Sequence, residues 1–365
     1  LNNKNVKLGV VFVEQVTKSV EDDIQLSLED APDALTYSLA LPMSLSRLCR
    51  NNCPYCGFRK RDSLMVPYST IKLCKQARLE GAREVLYISG ERPDKFPHVR
   101  ALLDLWGFES YVDYVYTISE LGFLEGFIPV VELGFLSPVE LKRLYEVAAV
   151  CRIMLDSVDE NHVSKIYAES PGKRLELRLR VVEWAGKLGF PINTGIMVGI
   201  GESASHRRDV MKEIASLHKQ YGHIHEFTLQ NFTPEPGTKF EGHAPTSKKD
   251  MLAALEVAKN ILPSDVSVTV PLELNPDIET FIQAGVRDLG RIYVGRNPSY
   301  GRNQSPSMVQ LTEIAERHGL RLHQRLPIKK SFIKQGRYSK KLGQLLDGYR
   351  YKIKKESQDK PKVSA

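Results

Sequence analysis

No apolar run in the 365-residue chain approaches the roughly 20 residues that a helix needs to span a bilayer, so no membrane partner is expected. At the start, Glu21, Asp22 and Asp23 come before any long apolar core; a secretory signal is therefore not expected, and the reading is cytoplasmic. Tryptophan is scarce, with 2 residues, and cysteine too, with 5. The cysteine count is odd, and Cys49, Cys53 and Cys56 crowd into one short stretch. That argues against an evenly spread disulfide framework and for metal or cluster binding in a reducing compartment. There is no fixed-period repeat and no internal linker.

The composition is ordinary for a globular protein, 42% hydrophobic and 26% charged, and the length suits one large barrel with short extensions. The net charge of +7 is partly local. Lys340, Lys341, Arg350, Lys352, Lys354, Lys355, Lys360 and Lys362 gather at the end of the chain. They read as a solvated tail and not as a nucleic-acid site, because no aromatic platform or known binding motif accompanies them. An anionic substrate or an acidic partner would suit the charge as well.

Strand and helix patterns alternate, which points to a parallel sheet with helices outside. Strands are expected at Leu41–Arg47, Glu84–Ser89, Phe127–Leu133, Cys151–Leu155, Pro191–Val198, Ile224–Gln230, Val266–Val270 and Leu289–Val294. Helices are expected at Ser69–Glu80, after Ser137 and Pro138, and at Arg174–Leu188, Ser203–Gln220 and Thr246–Ile261, with Ser or Thr caps and stops at Gly81 and Gly189. The fold class is α/β: a (β/α)8 TIM-type barrel, or a partial (β/α)6 barrel should the last two strands fail. Residues 1–37 read as an N-terminal extension, 38–325 as the barrel domain and 326–365 as a peripheral basic tail, helical near Lys341–Tyr351 and disordered beyond. In such a barrel the functional groups gather where strands end.

Cys49-Arg-Asn-Asn-Cys53-Pro-Tyr-Cys56 directly follows the first strand. Three thiolates in a tight loop can bind three irons of a [4Fe–4S] cube and leave the fourth iron open to a small molecule. A structural zinc would want a fourth protein ligand, either Cys74, Cys151 or a distant His; Cys74 and Cys151 fit the apolar core better. The spacing CxxxCxxC, with Tyr55 before the last cysteine, resembles the signature of the radical S-adenosylmethionine (SAM) superfamily.

That resemblance implies a [4Fe–4S] cluster on Cys49, Cys53 and Cys56 and SAM on its open iron. Ser89-Gly90-Glu91 then resembles the Gly-Gly-Glu element that meets the SAM amino group. Asp156 and Ser157 stand where the ribose is bound, although Asp156 could instead cap the next segment. Arg178 could pair with the SAM carboxylate, with Arg180 or a surface salt bridge as alternatives. Gly199, Ile200 and Glu202 belong to a Gly-x-Ile-x-Gly-x-x-Glu-like loop against adenine. That loop has the wrong spacing for a dinucleotide site.

Ser170-Pro171-Gly172-Lys173, Tyr221-Gly222-His223-Ile224, Gln230-Asn231-Phe232 and Pro236-Gly237-Thr238 resemble, within that superfamily, the FO synthase subunit 1 (CofG) family, over roughly Ser38 to Asp288. The resemblance implies hydrogen abstraction from a tyrosine/5-amino-6-ribitylamino-uracil adduct to form the deazaflavin FO of coenzyme F420. It also implies a separate second subunit (CofH) and an electron donor such as flavodoxin or ferredoxin. A divergent paralogue acting on another amino-acid or heterocyclic adduct is the alternative. Departures from the family pattern fall at Glu132, near Glu273 and around Arg291, all at expected strand ends and so near the substrate; Arg291 and Arg296 are expected to add positive charge there. Glu132, as a base, and Gln230 and Asn231, as substrate contacts, are the candidate catalytic residues. His223 reads as structural, at the stability end of the barrel, and His225 could face either way.

Overall fold

The computed structural model describes residues 29–156, 158–159, 166–295 and 305–358. All eight expected strands are present: β1 (Ala34–Ser46), β2 (Glu84–Ser89), β3 (Ile128–Glu132), β4 (Val150–Asp156), β5 (Ile192–Val198), β6 (Ile224–Asn231), β7 (Ser267–Thr269) and β8 (Asp288–Tyr293). A further strand, β9 (Arg321–Gln324), was not anticipated. The sheet runs β7-β6-β5-β4-β3-β2-β1-β8, every pair parallel, and β9 pairs with the first residues of β1. This is the eight-stranded TIM-type architecture and not the six-stranded alternative. The barrel is nearly closed: β7 and β8 lie in contact at the seam without a hydrogen-bonded pairing.

The helices form where the capping chemistry places them. Ser137 and Glu140 make a reciprocal capping box with Pro138 in the first turn of Pro138–Tyr145. Ser203 and Ser247 cap Ala204–Tyr221 and Lys248–Ile261, and Gly189 ends Leu175–Leu188 at φ 70°. The helix expected to be capped by Ser69 or Thr70 spans Tyr68–Leu79 instead; Pro67 holds the cap position without a side-chain bond, and Thr70 is buried. Helices Pro97–Leu105 and Tyr111–Leu124 were not anticipated. β4 and β5 are buried on both faces, as strands covered by helices outside and side chains inside must be. Cys74 and Cys151 sit in the main core, as read.

Residues 326–346 do not hang free. Leu326, Ile328, Phe332, Ile333, Leu342, Leu345 and Leu346 pack into one apolar cluster with Leu86 and Ile88 of β2 and Ile128 and Val130 of β3. The expected Lys341–Tyr351 helix runs from Lys340 to Gln358. Leu342, Leu345 and Leu346 at helical spacing bury one face of this helix, and Lys341 pairs with Glu120 on the Tyr111–Leu124 helix, so this part of the chain covers the barrel.

Inside the barrel lies an ionic network. Arg291 on β8 bonds Glu84 on β2 and Glu226 on β6. Arg325, 1% exposed, bonds Asp288 through two nitrogens and reaches Glu226. Ser38 donates to Glu84 at 2.6 Å and Asn193 to Glu226 at 3.0 Å. Arg291 is therefore buried and neutralised, which corrects the expectation of an added positive charge beside the substrate; Arg296 lies outside the described residues. His223 is buried at the start of β6 with Nε2 on the Val182 carbonyl, and burial lowers its pKa to about 4. His225 faces inward against Phe332.

Burial acts to raise the Glu226 carboxyl, but Arg291 and Arg325 outweigh it and hold the pKa at about 2. A free Glu titrates near 4.3. This carboxylate thus stabilises the fold above pH ~4.3, and the contribution is lost as pH falls toward 2. Removing one partner of a buried pair costs about 3–5 kcal/mol, because the other charge stays uncompensated. Arg325→Met is expected to lose stability of that order in denaturant unfolding and to move the acid-unfolding midpoint upward. An unchanged acid limb would mean that the network does not couple to folding.

Candidate active site

The chain leaves β1 after Ser46 and turns through the three cysteines. Arg47 holds this loop, donating Nε to the Phe58 carbonyl at 2.8 Å and Nη2 to that of Gly57 at 3.1 Å. A tight turn brings the Cys56 N–H to the Cys53 carbonyl. The loop packs so closely on the end of β2 that a Cβ on Gly90 would stand 2.0 Å from the Leu48 carbonyl oxygen, so only glycine fits.

Cys49, Cys53 and Cys56 line a single cavity at the C-terminal ends of the strands. Among the described residues no three His, Cys, Asp or Glu side chains are placed to hold a single metal ion. Three thiols bordering a cavity fit a cube of several irons, where each sulfur meets a different metal atom, better than one tetrahedral ion. Burial pushes the Cys53 thiol up to about 11 and raises that of Cys49. Ligand sulfurs must be thiolates, so compensation is required. The Glu91 N–H supplies some, 3.2 Å from Cys49 Sγ, and the Ser170 hydroxyl and Lys173 act on Cys53.

Glu91 is the junction of the site. Its carboxylate accepts Arg50 at 2.8 Å, the Phe135 N–H at 2.9 Å and Arg178 Nη2 at 3.0 Å. Burial favours the neutral form, yet Arg178, the Phe135 N–H, Arg50 and Lys173 together hold its pKa below the ordinary carboxylate range. Arg178 is 3% exposed and also donates to the carbonyls of Gly172 and Met154. It lines the cavity, but these protein partners engage Nε, Nη1 and Nη2, which makes it a brace. Asp156 also lines the cavity, ion-paired with Lys173, and its φ of 60° is unusual for a residue with a side chain. Ser157 lies outside the described residues.

Gly199, Ile200 and Glu202 form a self-bonded turn behind the wall. The Glu202 carboxylate accepts the N–H groups of Gly199 and Ile200, both at 2.9 Å, and pairs with Arg207. Gly199 at φ 88° and Gly201 at φ 113° permit that turn. Ile200 joins Tyr55, Tyr167, Met197 and Phe232 in an apolar cluster against which Cys53 and Cys56 pack, and the Tyr55 and Tyr167 hydroxyls are 2.8 Å apart.

Across the same cavity stand Glu132, Gln230 and Asn231. Glu132 accepts Arg152 Nη1 at 2.6 Å. Asn231 bonds the Leu274 carbonyl and Asn275, both at 3.0 Å. Sequence reasoning missed Asn51, Lys173 and Arg152. Asn51 accepts the Gly172 N–H at 2.9 Å, and Arg152 fixes Glu132. Only Lys173 had left a signal, inside the Ser170–Lys173 block.

Comparison with known proteins agrees with this geometry. The radical SAM superfamily model matches residues 43–214. The 7,8-didemethyl-8-hydroxy-5-deazariboflavin synthase of Archaeoglobus fulgidus is 37% identical over 86% of this chain and 96% of its own length. The one from Methanothermobacter thermautotrophicus is 35% identical over 82% and 93%. Among solved structures, the FeFe-hydrogenase maturase HydG from Carboxydothermus hydrogenoformans superposes with a TM-score of 0.64 at 17% identity, covering 96% of this chain and 83% of its own; that likeness concerns the fold alone. The chain belongs to the radical SAM superfamily and, within it, to the 7,8-didemethyl-8-hydroxy-5-deazariboflavin synthase family.

A Cβ on Gly172 would stand 1.6 Å from Glu91 Oε1. Gly172→Ala is therefore expected to displace the carboxylate that ties the cysteine loop to Arg178. SAM affinity, measured by equilibrium dialysis after cluster reconstitution, should fall roughly tenfold, the equivalent of about 1.4 kcal/mol. Wild-type affinity would show that Glu91 does not set the geometry of this site.

Proposed function

We propose that this chain forms the deazaflavin FO of coenzyme F420 by abstracting hydrogen from a tyrosine/5-amino-6-ribitylamino-uracil adduct. Cys49, Cys53 and Cys56 would hold a [4Fe–4S] cluster, with SAM alongside it. When bound, the cluster supplies the electron that cleaves SAM to methionine and a 5′-deoxyadenosyl radical. One observation carries the reading: three loop cysteines and the polar wall of Glu132, Arg152, Gln230 and Asn231 share one cavity at the strand ends.

The roles of the chain's own residues follow from their contacts. Glu91, Asn51 and Arg178 fix the loop that presents the thiols. Tyr55, Met197 and Phe232 form an apolar surface suited to a flat base, with Gly199, Ile200 and Glu202 shaping the turn behind it. Gly90 lines the cavity beside the cysteines, where a backbone carbonyl would be an acceptor for an ammonium group. Asp156 and Lys173 present one carboxylate and one cation for polar groups of SAM. The Glu132–Arg152 pair, Gln230 and Asn231 face the second reactant. We infer that a separate second subunit supplies the adduct and that a one-electron carrier such as flavodoxin or ferredoxin supplies the reductant.

The test is anaerobic reconstitution of wild type and Cys53→Ala, followed by iron and sulfide analysis and a 5′-deoxyadenosine assay. Wild type is expected to bind about four irons per chain, as one cube requires, and to form 5′-deoxyadenosine; the variant should lose both. With the adduct added, wild type should develop deazaflavin fluorescence. An intact cluster and active SAM cleavage without that fluorescence would exclude FO formation and leave another adduct as substrate.

A further inference from the structure

Glu132, Glu273 and Arg291, far apart in the sequence, converge in the structure. Arg152 bridges them. It pairs with Glu132 on the wall of the cysteine cavity and also borders a smaller chamber at the open β7–β8 seam. That chamber, about 20 Å³ in volume and so with room for one water-sized group, is lined by Glu226, Thr269, Glu273, Arg291 and Tyr293.

Two groups in it are not explained by the fold. Glu273 follows β7, on the face that carries the cysteines, and is 6% exposed. Burial pushes its carboxyl up to about 7, against its own backbone N–H and the charge of Arg152. Arg291 is 6% exposed and gives Nε to Glu84 and Nη1 to Glu226, while its Nη2 is buried without a partner. A buried N–H left unpaired is costly, which points to a ligand oxygen that completes it.

The charge balance limits what that ligand is. Glu132, Glu84, Glu226 and Asp288 face Arg152, Arg291 and Arg325, so no excess positive charge awaits an anion. A neutral molecule with both donors and acceptors fits such a wall. We propose that the chamber at the β7–β8 seam is a second subsite beside the cavity, in which the Glu273 carboxyl and Arg291 Nη2 hydrogen-bond one terminal hydroxyl of a neutral arm of the second reactant. This rests on the proposed function, which identifies that arm as the ribityl chain.

The test uses 5-amino-6-ribitylamino-uracil alone as probe, with its 5′-phosphate ester as the charged counterpart, in equilibrium dialysis against the reconstituted protein. Wild type should bind the neutral probe and reject the phosphate. Glu273→Leu should bind the neutral probe roughly tenfold more weakly, the size of one buried hydrogen bond. Glu273→Gln, which keeps a donor and an acceptor, should recover most of the affinity. Unchanged iron content, circular dichroism and unfolding midpoint in both variants will show that they are folded. Tighter binding of the phosphate, no binding of the neutral probe to wild type, or wild-type affinity in Glu273→Leu would each overturn the subsite. Deazaflavin fluorescence is a separate readout, so loss of the overall reading and loss of the subsite are distinguishable.

Discussion

The Glu91 carboxylate joins three segments at one point. One of its oxygens takes Arg50 from the cysteine loop; the other takes the Phe135 N–H from the turn after β3 and Arg178 from the helix after β4. Its own N–H reaches Cys49 Sγ. Gly134 and Gly172 leave room for it, since a Cβ at either would fall within 2.4 Å of a carboxylate oxygen. A buried carboxylate is tolerable only when paired and hydrogen-bonded, so its charge forces these segments to converge. The thiols are thereby held by electrostatics at the rim of the barrel and not only by the turn in which they lie.

That dependence explains what was legible in the sequence. The cysteine spacing, the eight strands and the caps at Ser137, Ser203 and Ser247 are local patterns, and local patterns survive in one dimension. The long-range partners do not. For Arg178 the sequence offers either the SAM carboxylate or a salt bridge as partner; the donors' own partners, Glu91, Gly172 and Met154, lie up to 87 positions away. Glu202 was read as a cofactor contact and closes its own turn. Arg152 and Asn51 left no signal, because each acts through a partner distant in sequence. β9 escaped notice because its four residues pair with the start of β1, an edge that the alternating pattern did not offer.

The end of the chain shows the same limit. Its lysines dominate the composition and suggested a solvated tail. The leucines and isoleucines between them close an apolar cluster with β2 and β3. Charge is conspicuous in a sequence, while the shape of the surface that accepts an apolar stripe is set by distant strands.

The barrel interior is thus divided. Beside β2 and β3 it is apolar, from Leu326 and Phe332 up to Ile88, which also borders the cysteine cavity. Toward β6 and β8 it is ionic, with Glu84, Glu226 and Asp288 matched to Arg291 and Arg325. Buried ion networks of this kind are poor sources of stability compared with well-packed apolar side chains. An apolar filling would have served the fold alone. The polar half instead sets fixed charges beside Arg152, which borders the cysteine cavity, and fixed charges orient a polar reactant without reorganising when it arrives. A carbon radical abstracts whichever hydrogen lies nearest, so selectivity rests on how firmly the far end of the reactant is held. The ionic half of the barrel is where this chain has the groups to hold it.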